Sequence, residues 1–146
     1  MSSVIEFEVE GVPVGKGRPR AFRVGAGVRM FTPAKTERYE SLVRDAYHRA
    51  VAVSTAHDGP VLLSVRTYWP IPQSRPKRWK AEAEREGVYM TSRPDGDNVL
   101  KALCDALNGI AWRDDAQVCA AAVWKFYSPR PRMSVRIERV NMEERG

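Results

Sequence analysis

"RPDGDNVLKALCDALNGIAWRDDAQV", residues 93–118, places four acidic side chains at Asp95, Asp97, Asp105 and Asp114, and a fifth at Asp115, inside a chain whose net charge is +6. Advancing 100° per residue from Asp97 gathers Val99, Leu100, Leu103, Ala106 and Leu107 on one side and Asp97, Lys101, Asp105 and Asn108 on the other. The stretch therefore predicts an amphipathic helix, entered at Asp95-Gly96-Asp97-Asn98 and left at Asn108-Gly109, with a strand following Asp115. A helix followed by a strand points to a helix laid on a sheet.

The elements around it alternate in the same way. "VIEFEVEG" reads as a half-buried strand, with Phe7 and Val9 set against Glu6, Glu8 and Glu10. "AFRV" and "VRMF" around "GAG" predict a hairpin. Thr32-Pro33 reads as a hydroxyl cap followed by a first-turn proline, and Tyr39, Leu42, Val43, Ala46, Tyr47 and Ala50 recur at helical spacing, so a helix is expected over 33–53. "PVLLSVRTYWP" predicts a strand, Pro76 to Glu86 a polar helical segment, and "AQVCAAAVWKFYS" and "MSVRIERVNM" two last strands. The order hairpin, α, β, α, β, β after a first strand predicts an α/β (α+β) fold. A single domain over 1–146 is expected, with a mixed β-sheet and two main helices packed on it.

Composition narrows the function classes. The 43% hydrophobic fraction suits a soluble globular protein. No apolar run is long enough to span a bilayer and no leader pattern opens the chain, so the cytoplasm is the expected location. Cys104 and Cys119 lack C-x-x-C spacing and read as reduced core thiols; His48 and His57 are isolated and read as structural or surface residues.

Positive charge is segregated. Gly11 to Thr36 contains no acid but holds Lys16, Arg18, Arg20, Arg23, Arg29 and Lys35, and the acid-free stretch from Pro60 to Ala81 carries Arg66, Arg75, Lys77, Arg78 and Lys80. Clustered cations of this kind read either as a solvated basic face or, more sharply, as a phosphate-contacting surface, because releasing condensed counterions supplies most sequence-independent affinity for nucleic acid. A nucleotide-dependent phosphotransferase is disfavoured: "GVPVGKGRP" shares only Gly-Lys with a phosphate-binding G-x-x-x-x-G-K-[ST] loop.

Two carboxylates one residue apart at a helix start repel unless a cation lies between them, and magnesium or manganese commonly takes one or two carboxylates plus water and phosphate. Gly96 lets the backbone bend at that point. The pair alone is also compatible with an ordinary polar helix face bearing an Asp97–Lys101 pair. A third carboxylate, Asp115, can join if residues 110–115 double back along the helix, since about 20 Å of extended chain covers about 18 Å of helix. Such a site, with Lys101 one turn along, suits phosphodiester hydrolysis.

The same residues carry a family resemblance. "RPDGDNVLKALCDALNGIAWRDDAQV" closely resembles the signature of RusA-like Holliday junction resolvases, P-D-x-D-N, then K, D-A-L and W-x-D-D-A-Q. "GVPVGKGRPR" with "FTPAKTERYE" is similar to the amino-terminal region of a phage and prophage branch. The resemblance implies a small homodimeric, magnesium-dependent endonuclease (manganese substituting) that resolves four-way DNA junctions by paired symmetrical nicks in recombination and repair. It implies a metal set of Asp95, Asp97 and Asp115, with Lys101 as the catalytic lysine. Lys16, Arg18, Arg20, Lys77, Arg78 and Arg93 are the expected DNA contacts, "GKGRPR" being a mobile DNA-contacting loop. Where that family has arginine directly before the first aspartate, this chain has Pro94, with Arg93 one place earlier. Two alternatives stay open: a nuclease for other branched DNA such as forks or flaps, and an architectural junction binder that does not cut.

Overall fold

The computed structural model describes residues 2–18, 20–53 and 55–142, with Ser2, Arg20, Phe22 and Phe31 described in backbone only. Nine-residue strand β1 (Ser2–Glu10) leads to a two-stranded hairpin, β2 (Arg20–Val24) and β3 (Gly27–Phe31), and then to helix α1 (Ala34–Ala50). Strand β4 (Val61–Trp69) follows, then α2 (Lys77–Glu84), α3 (Gly96–Leu107), β5 (Val118–Tyr127) and β6 (Arg132–Val140). The main sheet runs β1-β6-β4-β5. β6 is antiparallel to both β1 and β4, and β5 is parallel to β4. This is the mixed α+β architecture expected, with a third, short helix where the polar segment was read.

One sheet face is apolar because alternate residues point to it. Ile5, Phe7 and Val9, Val61, Leu63 and Val65, and Met133, Val135 and Ile137 are buried there. Helix α1 covers the β1 side with Tyr39, Val43, Ala46 and Tyr47, and α3 covers the β5 side with Val99, Leu103, Ala106 and Leu107. Burying each large side chain contributes about 1.5–3 kcal/mol, so these stripes fix where α3 lies. Leu42, expected in the buried stripe of α1, is 49% exposed. The helix starts one residue later than expected, with Pro33 in the capping position and no side-chain cap, while Thr36 Oγ1 in its first turn accepts from Gly17 N–H at 3.1 Å.

The opposite face is polar and its arginines are paired: Arg130 with Glu8, Arg132 with Glu8, Arg136 with Glu6, and Arg66 with Glu86. Trp69 and Phe126 are buried at 5% exposure. Among the described residues no helix is long and apolar enough to cross a membrane.

Candidate nuclease site

Helix α3 opens on Asp95, whose extended backbone (φ −65°, ψ 153°) caps the helix while its carboxylate makes no capping hydrogen bond. Asp97 lies in the first turn. Both are exposed, and among the described residues neither carboxylate has a hydrogen bond or salt bridge. A helix N-terminus favours negative charge, which lets two neighbouring carboxylates remain ionised there. Lys101, one turn along, is likewise exposed and without a salt-bridge partner among the described residues, so the Asp97–Lys101 pair of an ordinary polar helix face is not formed. All three side chains are solvent-exposed.

Lys125 is a residue the sequence reading missed. It points from β5 to the helix-covered side, where Nζ donates to the carbonyl of Ser92 at 2.6 Å. Burial lowers its pKa, and the charge of Asp95 works in the opposite direction. The contact ties the 92–95 segment to the sheet, and Met90 N–H donates to Lys125 O at 2.8 Å on the strand's outer edge. No local pattern marks Lys125, because its partners are thirty residues away.

Asp115 has a different setting. Residues 110–115 do not run back along α3: Ile110 and Ala111 N–H both bond to Leu107 O, and the chain turns tightly under the helix end. Asp115 N–H donates to Asn108 Oδ1 at 3.0 Å, and Trp112 Nε1 donates to Asp115 Oδ1 at 2.8 Å. The expectation that Asp115 joins Asp95 and Asp97 within one chain is thus corrected. Asp97 and Asn108 are separated by about 16 Å of helix rise. Among the described residues no three of His, Cys, Asp or Glu gather into a metal-binding group.

The "WRDDAQ" turn holds itself in place. Asp114 caps a short 3-10 turn (Asp115–Gln117), Gln117 Oε1 accepts from the N–H groups of Arg113 and Asp114, and Gln117 Nε2 donates to the carbonyls of His57 and Gly59. Trp112 is fully buried. Asp114 and Asp115 each give one carboxylate oxygen to this scaffold, Asp114 Oδ1 to Ala116 N–H at 3.4 Å and Asp115 Oδ1 to Trp112 Nε1 at 2.8 Å, with Asp114 exposed and Asp115 half-buried. Cys104 sits above it; burial, reinforced by Asp115 and Asp105, pushes its thiol up to about 12 and keeps it protonated. Cys119, expected in the core, is exposed.

Lys16 is corrected as a DNA contact. Its ammonium, 13% exposed, lies 2.8 Å from Glu40 and 3.0 Å from Asp105. Burial alone would lower its pKa, but the hydrogen bonds and charges of the two carboxylates raise it overall. Lys16 N–H donates to Asn98 O, and Gly15 packs on Pro94 so closely that a Cβ there would come within 2.6 Å of the proline. The 13–18 segment is a strap across α1 and the start of α3. Arg18, Lys77, Arg78 and Arg93 are exposed, as phosphate contacts require. The side chain of Arg20 falls outside the described residues.

The family model described as "Endodeoxyribonuclease RusA" matches residues 10–138, which include every residue of the site. The chain is also 39% identical over 141 residues to the uncharacterized protein YqaN of Bacillus subtilis (strain 168), covering 94% of this chain and 97% of that protein. A match of this extent, over a helix that presents Asp95, Asp97 and Lys101 and a turn that presents Asp115, establishes that the chain belongs to the RusA endodeoxyribonuclease family.

Proposed function

We propose that this protein is a cytoplasmic, magnesium-dependent endonuclease that resolves four-way DNA junctions by paired nicks, acting as a homodimer of one-domain subunits. The observation that carries this reading is the exposed, unpaired Asp95 and Asp97 at the head of α3, within the family motif. Hard carboxylate oxygens without protein partners fit magnesium, and manganese as a substitute. Such an ion, when bound, supplies positive charge at the phosphate and makes a water more acidic.

The chain's own residues do the rest. Asp95 and Asp97 fix the position of the ion's binding site relative to the scissile phosphate, and Lys101 offers a cation to the charge that builds on the phosphate oxygens. Lys125 and the Lys16 strap keep the Asp95 segment in place. Arg18, Lys77, Arg78 and Arg93 supply the phosphate contacts that orient the DNA.

Dimerisation answers the question that Asp115 poses. The outer edge of β5 is covered at Phe126 by Tyr89, but no strand among the described residues pairs with it at 118–124, and Cys119 to Ala122 are small and exposed. Two copies joined antiparallel there, about a two-fold axis between Ala120 and Ala121, would bring Asp115 of one copy to the Phe126 end of the other's β5, next to Lys125. That is the neighbourhood of Asp95. Each site would then take Asp95, Asp97 and Lys101 from one copy and Asp115 from the other, and the closed pair has two sites for two symmetrical strands.

The test is cleavage of a labelled four-way junction against its linear duplex, with magnesium and with EDTA. Symmetrical magnesium-dependent nicks confined to the junction are expected. Equal cutting of forks and flaps would instead favour a broader branch nuclease, and binding without cutting an architectural protein.

A further inference from the structure

Among the described residues the hairpin β2–β3 pairs with no other strand. Its strands pair only with each other, through a two-residue Gly25-Ala26 turn with Gly25 at φ 60°, and every described side chain from Ala21 to Met30 is exposed. An isolated two-stranded hairpin is marginal in water, yet this one leaves Val24 at 44%, Val28 at 66% and Met30 at 62% exposure. Residues opposite one another in the register share a face, so Ala21, Arg23, Val28 and Met30 lie on one side and Val24 and Arg29 on the other. Each side thus combines arginine with apolar surface.

The partner can be read from charge and position. The hairpin lies within the stretch from Gly11 to Thr36 that has no acidic residue, and Arg18 at its base and Arg23 and Arg29 on its strands are exposed. By contrast, arginines of the sheet's polar face are held by glutamates. The chain shortly before the hairpin is fixed beside the site: Lys16 N–H binds Asn98 O, Gly17 N–H binds Thr36 Oγ1 at 3.1 Å, and Gly15 packs on Pro94. What the hairpin meets is therefore the same polyanion that reaches Asp95 and Asp97.

Resting on the nuclease reading, we propose that residues 20–31 form a wedge for the branch point of DNA. Arg23 and Arg29 contact the phosphates that flank the branch, while Val24, Val28 and Met30 press on the base-pair faces that the branch leaves unstacked. Apolar side chains inserted at base steps open the stack and bend the duplex, and a branch point has already lost part of that stacking. The hairpin would thereby recognise branching itself, and the carboxylates would cut what it has opened.

The test uses the full chain and a four-way junction with 2-aminopurine, which brightens when unstacked, beside the branch. Wild-type protein in calcium should brighten it, and the triple variant Val24→Ser, Val28→Ser, Met30→Ser should lose most of that rise. The same variant should cut the junction about tenfold more slowly while holding linear duplex within about twofold of wild type. The double variant Arg23→Ala, Arg29→Ala should weaken both DNAs and make the slope of log affinity against log salt shallower by about two. A triple variant that matches wild type in brightening and rate overturns the wedge while leaving the nuclease reading intact. A triple variant that is monomeric where wild type is dimeric also overturns it, by assigning the apolar surface to a second copy. Wild-type protein that neither prefers nor cuts the junction overturns the nuclease reading itself, and the wedge with it.

Discussion

Asp97 and Asp115 stand at opposite ends of α3, Asp97 in its first turn and Asp115 hydrogen-bonded to Asn108 just beyond its last. If the site is shared between copies, mutants defective at the two ends should repair each other. Asp97→Asn and Asp115→Asn are each expected to be inactive alone. Mixed after unfolding and refolding together, half the dimers contain one chain of each kind, and one of their two sites is intact. Nicking at about a quarter of the wild-type rate is the expected outcome. No recovery in a mixture shown to contain mixed dimers would place each complete site within one chain.

Cys119 reports on the same interface. Its thiol lies on the free edge of β5, whereas Cys104 is partly buried with its pKa pushed up to about 12. A thiol reagent at pH 8 should therefore modify Cys119 rapidly in dilute protein and leave Cys104 until unfolding. Raising the protein concentration into the dimer range should slow Cys119 at least about tenfold, because antiparallel pairing covers it. Labelling that is independent of concentration would remove this edge from the dimer.

Lys16 predicts a stability effect separable from DNA binding. Lys16→Met leaves Glu40 and Asp105 facing each other without their shared cation and should cost about 2–3 kcal/mol, read by denaturant unfolding. The pH dependence follows from the raised pKa. The folded chain holds the proton more tightly than the unfolded one, so the lysine's contribution is complete below its ordinary value of 10.5 and is lost as pH rises through the higher folded value. The difference between wild type and Lys16→Met should be level from neutral pH to about 10 and narrow above it. A difference that narrows between pH 7 and 9 would show that some other group dominates.

Elements with a strong period were legible in the sequence: the alternation of Phe7 and Val9 with glutamates, the stripe of α3, and the hairpin around Gly25 all take their expected form. Asp95, Asp97 and Lys101 were legible as a group because they sit within two turns of one helix. The path of residues 110–115 was not. Chain length allowed the return to Asp95, and what prevents it is the pair of bonds to Leu107 O and the grip of Asn108 and Trp112 on Asp115. Lys16 was misread for a related reason. A lysine between glycines in an acid-free stretch resembles a phosphate contact, and its two carboxylates come from helices that only the tertiary fold brings to it.

Asp97→Asn should separate cutting from binding. The substitution keeps the side chain's size and removes a charge that has no partner among the described residues, so the fold loses no salt bridge. Cleavage should fall by more than about a hundredfold, since a neutral amide is a poor ligand for a hard cation. Junction affinity should hold or rise slightly, because one negative charge has left the surface that receives phosphate. Binding itself should remain strongly salt-dependent: with about four phosphates neutralised, affinity drops about a hundredfold between 50 and 200 mM salt. Both proteins should share that slope, as Arg18, Lys77, Arg78 and Arg93 are untouched. A variant that still cuts at the wild-type rate would remove Asp97 from the mechanism, and a flat salt response in wild type would mean that the exposed cations do not meet DNA.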